Sequence, residues 1–209
     1  MENYKKNLEL LTKNHVYSKE MEHDACGVGL IASTEGKKSR AIVEYGIEAL
    51  KAVWHRGAVD ADGKTGDGAG IHVEIPKDFF IEKIQVTGHD YDNSEICVGM
   101  IFLPRNDYSA QESCKTIVES ELTKNNFSIY GWRQVPVNSK VLGEKALQTM
   151  PEIIQVLFKS NDPNLLDKNL ERKIYEIRKR IENKAFNASL NNFYICSISS
   201  KSIIYKGLY

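Results

Sequence analysis

Apolar and polar residues along this chain follow two periods, and the changes of period mark out its elements. The clearest repeat sets Leu170, Ile174, Ile177 and Ile181 at steps of four, three and four, with Arg172, Lys173, Arg178 and Lys179 outward. That spacing predicts an amphipathic helix with one buried face. A second helical pattern, "SRAIVEYGIEALKAV", sets Ile42, Tyr45, Ala49 and Val53 on one face and offers Ser39 as its cap. Further helices are predicted over residues 109–123 and in "GEKALQTM", and Pro76 opens a helical turn in "PKDFFIEKI". The run "ICVGMIFLP" is long, apolar and bounded by polar turns, which predicts a central strand. "IHVEI", "FSIYGWRQVP" and "EIIQVLFK" read as further strands, and "FYICSIS", "SKS" and "IIYKGLY" as a hairpin. "CGVGLIA", residues 26–32, reads as a buried strand whose small residues admit another backbone or a ligand. "DYDNSE" reads as an exposed turn.

Two stretches resist a regular period. Residues 1–25 hold five acids and four lysines with few apolar positions, so only a short helix around "LELLTK" is expected there. Residues 54–70, "WHRGAVDADGKTGDGAG", carry five glycines in 17 positions, a density that predicts a shaped loop. No internal repeat or linker is visible. The order of strand, helix, glycine loop and then alternating strands and helices predicts an α+β or layered α/β domain.

Composition narrows the function classes. A chain of 209 residues suits one large domain, or part of one. Its 28 basic and 28 acidic residues cancel, which removes the long-range attraction expected of a nucleic-acid binder. The seven basic residues of 167–184 are interleaved with four acids and read as a solvated helix face. No apolar run reaches the length of a membrane span, and the first residues lack the apolar core of a secretory signal. The cysteines at 26, 97, 114 and 196 are scattered and form no CxxC, so a reducing, cytoplasmic setting is expected, with no metal site.

Candidate chemistry begins at Cys26. One reading makes it a small buried hydrophobe. The other makes residues 1–25 temporary and Cys26 the mature amino terminus. A lone thiol ionises near pH 8.5 and needs a base, and a free α-amino group with a pKa of about 8 serves that role in N-terminal nucleophile hydrolases. Gly27 meets the demand for a small following residue. Arg56, beside Gly57, offers a rigid guanidinium fork suited to a substrate carboxylate, although it also reads as a solvated charge; His55 reads as a loop histidine. "TGDGAG" lacks the GK[ST] of a phosphate loop and places Asp67 where a phosphate would be repelled. Its glycines fit better as backbone lying beside a pocket. Asp60, Asp62 and Asp67 lack the spacing and closing glutamate of a calcium loop. His72 is placed on a sheet face, and "YGWRQVPVN" offers an aromatic–arginine cluster that could line a pocket.

The same stretches resemble one family, the amino-terminal class II glutamine amidotransferase domain of the glutamate synthase large subunit. The resemblance is carried by "DACGVGLIA" at 24–32, "WHRGAVDADGKTGDGAGIHVEIPKDFF" at 54–80, "GMIFLP" at 99–104 and "GWRQVPVN" at 131–138. It continues through "PEIIQVLF" at 151–158, "LERKIYEIRKRIE" at 170–182 and "SISSKSIIYKG" at 197–207. It implies a four-layer αββα sandwich of the N-terminal nucleophile hydrolase type. It implies a propeptide over 1–25, with Cys26 as nucleophile and, once freed, as α-amino base. Arg56, Gly57 and Gly68 would then shape the substrate pocket. The implied reaction hydrolyses glutamine and passes ammonia to a downstream synthase domain, where 2-oxoglutarate becomes glutamate. FMN and an iron–sulfur cluster are implied for the full-length subunit and not for this segment, with a small subunit or ferredoxin as electron donor. Two family motifs do not occur in these residues: the arginine that holds the glutamine carboxylate, and the Asn-Gly pair of the oxyanion hole. In family order both follow Tyr209, so the chain reads as the front part of the domain, incomplete at its C-terminus and inactive alone. The alternatives are another class II amidotransferase or a non-catalytic binding or regulatory remnant.

Overall fold

A strand that is apolar at every position needs cover on both faces, and the segment Cys97–Leu103 has it. The computed structural model describes residues 2–14, 27–53 and 59–207. Among these the helices are α1 (Glu2–Asn14), α2 (Arg40–Ala52), α3 (Lys77–Val86), α4 (Tyr108–Lys124), α5 (Glu144–Thr149) and α6 (Asp167–Asn187). The strands are β1 (Ala69–Glu74), β2 (Cys97–Leu103), β3 (Phe127–Gln134), β4 (Glu152–Ser160), β5 (Tyr194–Ser199) and β6 (Ser202–Gly207). The result is an α+β fold with two antiparallel sheets: a four-stranded one in the order β3-β4-β2-β5, and a pair, β1-β6.

Strand alternation divides the core. Cys97, Ile101 and Leu103 of β2, with Ile154, Val156 and Phe158 of β4, face α4 and α6. The α6 repeat fills that side with Leu170, Ile174, Ile177 and Ile181, all buried. Val98 and Met100 point the other way and join Leu157, Phe80 and Ile84 of α3, and Ile203 of β6. Helix pair, sheet and second sheet therefore stack in layers, with α2 touching β1. This order fits the four-layer expectation, with the second sheet two strands wide among the described residues.

Several expectations are corrected. Residues 27–32, the described part of "CGVGLIA", form no strand, and Val28 and Leu30 are 93% and 89% exposed. No neighbouring strand among the described residues pairs with them, and an unpaired strand has nowhere to place its N–H and C=O groups except in water. β5 and β6 are not a hairpin: β5 pairs with β2, whereas β6 pairs with β1. The connection crosses between sheets because Glu171 of α6 holds it, accepting from Ser199 Oγ (2.9 Å), Ser200 N–H (2.7 Å) and Ser200 Oγ (2.8 Å). On α2, Ser39 accepts from Ala41 N–H as expected, but Tyr45 is exposed, and Gly46 takes the inward position against Ile71. "DYDNSE" is a largely exposed bend, as expected, and Asp92 anchors it. Asp92 accepts from Ser94 Oγ (2.6 Å), Tyr130 OH (3.2 Å) and Lys159 Nζ, and these contacts, Lys159 foremost, hold its carboxyl well below the usual range.

Truncating Ile177, fully buried between α6 and the sheet, opens a cavity that cannot collapse. Ile177→Ala should lower unfolding free energy by about 2–5 kcal/mol in urea denaturation, whereas an exposed change on the same helix, Lys168→Ala, stays within about 0.5 kcal/mol.

Candidate active site

Three of the expected site residues, Cys26, Arg56 and Gly57, lie outside the described residues, as does His55. Gly68 is described, exposed, immediately before β1. The structure brings together the residues that adjoin them in the chain. A Cβ on Gly27 would stand 3.3 Å from Val53 Cβ, so the residue after Cys26 and the residue before "WHRGA" are in contact. That approach needs glycine at 27 unless Val53 yields.

Beyond that contact the chain re-enters as a small closed loop. Val59 and Gly66 form a bridge, Thr65 O accepts from Asp60 N–H (2.8 Å), and Gly63 turns back on Asp60 O (2.9 Å) at φ +67°. Asp62 fills the centre. Its carboxylate accepts from Lys64 N–H (3.0 Å), Thr65 N–H (2.7 Å) and Thr65 Oγ1 (2.5 Å), which holds the group strongly ionised. Of the acidic residues considered as calcium ligands, Asp62 is thus spent on the loop itself, and Asp60 on Ala61 N–H and Lys145. Among the described residues, no cluster of three or more His, Cys, Asp or Glu could hold a metal.

The loop docks on α5. Lys145 Nζ donates to both oxygens of Asp60 (2.7 and 2.8 Å), and Ala146 N–H reaches Thr65 Oγ1 (3.4 Å). Gly143, at the head of α5, packs so closely that a Cβ there would lie 2.5 Å from Asp62 Oδ2 and from Thr65 N. Sequence reasoning missed Gly143, Lys145 and Thr65. The local signal was Asp62 three residues before Thr65, a spacing that lets one carboxylate gather a turn; the partner 85 residues away has no local signal.

Past Gly68, β1 leads into an apolar cavity of about 320 Å³ between the sheets, lined in part by Leu50, Ile71, Met100, Phe102, Val137 and Tyr205. Part of "YGWRQVPVN" does line this pocket, through Val135, Pro136 and Val137. Trp132 instead packs on the core and donates to Glu119 Oε1 (2.6 Å), and Arg133 donates to the buried Gln155 Oε1 (2.7 Å). A larger cavity of about 520 Å³ at the far end of β1 is polar. Its cations are met there by anions, Lys38 by Glu74, Lys77 by Glu95 and Lys201 by Asp167, and His72 meets Ser202. It presents no uncompensated charge to a ligand.

The remaining thiols are unsuited to nucleophilic work. Cys97, Cys114 and Cys196 are free and buried. Burial raises all three, Cys114 to about 11 and Cys97 further. No helix among the described residues is long and apolar enough to cross a membrane.

The family model of class-II glutamine amidotransferases matches residues 26–209. The glutamate synthase [NADPH] large chain of Azospirillum brasilense is 52% identical over 206 residues, which are 99% of this chain and 14% of that protein. The ferredoxin-dependent glutamate synthase of Pyropia yezoensis is 40% identical across 95% of this chain and 13% of its own length. The chloroplastic ferredoxin-dependent enzyme of Spinacia oleracea is 39% identical across 90% of this chain and 12% of its own length. The chain therefore spans a small fraction of the curated relatives it matches.

Both loop carboxylates have pKa values lowered from 3.8, Asp60 first by its bond to Lys145 and Asp62 first by Thr65. A lowered folded pKa contributes stability above the unfolded value that is lost as pH falls below it. Hydrogen exchange at Lys64 and Thr65 should therefore show constant opening free energy from neutrality down to about pH 5, and weakening protection below the ordinary carboxylate value.

Proposed function

The chain belongs to the class-II glutamine amidotransferase family, and from that premise we propose that it supplies the glutaminase chemistry of a glutamate synthase large subunit. Residues 1–25 are the propeptide, and residues 26–209 contribute to the amidotransferase domain. The observation that carries this reading is the Gly27–Val53 contact, set in a chain 52% identical to a glutamate synthase large chain. It joins the two segments that bear the nucleophile and the Arg56-Gly57 motif.

The chemistry follows from Cys26 once its amino group is free. That amine, with a pKa of about 8, accepts the thiol proton near neutrality. The thiolate attacks the side-chain amide carbon of glutamine, breaking the C=O π bond and placing the charge on oxygen. Collapse of the tetrahedral adduct expels ammonia, which takes the proton held by the amine, and leaves a glutamyl thioester. Water then cleaves the thioester, returning the thiol and glutamate. Arg56 serves as the pocket arginine beside the nucleophile, with Gly57 and Gly68 shaping the loops around it. Cys97, Cys114 and Cys196 take no part, because burial keeps them as thiols.

Ammonia passes to a downstream synthase domain that makes glutamate from 2-oxoglutarate. FMN and an iron–sulfur cluster would serve that domain. The described residues offer no ligand set for a cluster, and no step of the glutaminase reaction needs either group. The relatives' names include an NADPH form and ferredoxin-dependent forms, so a small subunit or ferredoxin is the electron donor. Three free, buried thiols suit a reducing cytoplasm.

A diazo-ketone analogue of glutamine, applied to the full-length protein, should alkylate Cys26 and block glutamine hydrolysis. Cys26→Ser should take no label and lose activity by about 10⁴-fold or more. Absence of both label and hydrolysis in the full-length protein would contradict the reading and favour a non-catalytic remnant. Hydrolysis and labelling without glutamate formation from 2-oxoglutarate would favour a different class II amidotransferase.

A further inference from the structure

The glycine loop owes its shape to residues far away in the chain. Its five glycines in 54–70 lose more conformational freedom on ordering than any other residue type, and bonds within the loop join residues 59–66. What ties it to the body of the protein is the head of α5. Three contacts do this: the Lys145–Asp60 ion pair, the Ala146–Thr65 bond, and the side-chain-free approach of Gly143 to Asp62 and Thr65. Thr65 is buried at that junction, at 8% exposure.

The ion pair has the wrong character for a stabilising device. Lys145 and Asp60 side chains retain 60% and 37% exposure, and exposed pairs contribute little to global stability because water screens them. It has the right character for positioning, because it spans 85 residues of sequence and fixes the residue two positions before Asp62 and one after Val59. Val59 follows "WHRGA" directly, so the clamp sets where the chain leaves the Arg56-Gly57 motif. The opposite end of that motif is set by Val53 against Gly27.

We propose that α5 is a clamp on the substrate-binding loop, with Lys145 and Gly143 as positioning residues that set the affinity for glutamine. The inference rests on the glutaminase reading above for its substrate, and on the loop geometry for the clamp. Neither residue touches the reacting atoms. Their effect falls on KM, because a loop released from α5 must be ordered by each glutamine that binds.

The test uses the full-length protein with Lys145→Met, Asp60→Lys, the charge-swapped pair Asp60→Lys with Lys145→Asp, and Gly143→Ala. Hydrogen exchange at 59–66 and glutamine kinetics are measured at low and high salt. Lys145→Met should speed exchange of the loop and raise KM about two- to fivefold with kcat nearly unchanged, as loss of an exposed pair predicts. Wild type at high salt should move toward the variant, and the charge swap should restore both readouts. Gly143→Ala should perturb the loop more strongly at any salt. Unchanged loop exchange in Lys145→Met would overturn the clamp, whether or not the protein hydrolyses glutamine. Faster exchange with unchanged KM would overturn its role in substrate affinity. A wild type that fails to hydrolyse glutamine would instead refute the functional reading, and the exchange data would still decide the clamp.

Discussion

Burial of the four-stranded sheet on both faces is the constraint from which the rest of the structure follows. β2 and β4 run through its middle with alternate side chains committed to opposite clusters, so neither face can be left to solvent. One face takes α4 and α6, and the other takes α3 and the β1-β6 pair. The second face is not purely apolar. Gln155, wholly buried on β4, accepts from Arg133 and donates to Tyr205 OH (3.3 Å) on β6. A buried amide with both ends satisfied fixes how one sheet sits on the other more tightly than apolar contact does. The crossover from β5 to β6, held by Glu171, delivers β6 to that place. β6 in turn registers β1 residue by residue from Ala69 to Glu74, and β1 carries the glycine loop at its leading end.

The loop is thus held at two points of different kinds. At Gly68 it is continuous with a strand whose register is set by the core. At Asp60, half exposed to water, and at the buried Thr65 it is held by polar contacts to α5. A scaffold of this sort combines a rigid base with a rim that can open locally at low free energy, the arrangement expected where a substrate must enter. The proposed function puts chemistry at that rim, and the buried state of Cys97, Cys114 and Cys196 leaves the described interior without a competing thiolate.

Much of the architecture was legible in the sequence wherever period and burial coincide. The α6 repeat, the apolar run of β2 and the Ser39 cap each stand where their local pattern put them, because local pattern and tertiary cover agree there. The failures share one cause. "FYICSIS" and "IIYKGLY" carry hairpin spacing, yet they pair with β2 and β1, and the connection between them is held by Glu171, 28 residues from Ser199. "CGVGLIA" has strand composition, but composition supplies no partner. Tyr45 fits the helical face by period, yet close approach to Ile71 selects Gly46 instead. At the site, the glycine density of 54–70 announced a shaped loop, and the Asp62–Thr65 spacing was readable as a turn. Lys145 and Gly143 were not, since nothing near them in sequence marks a contact with residues some eighty positions earlier.

The central claim is that Cys26 becomes the amino terminus and acts as the nucleophile, and the most direct measurement is the amino-terminal residue of the active protein purified from its native source. Edman or mass-spectrometric sequencing should find a free amino group on Cys26, with residues 1–25 removed. A glutamine-hydrolysing protein that retains Met1, with Cys26 inside the chain, would contradict the account, because the α-amino base on which the chemistry depends would not exist.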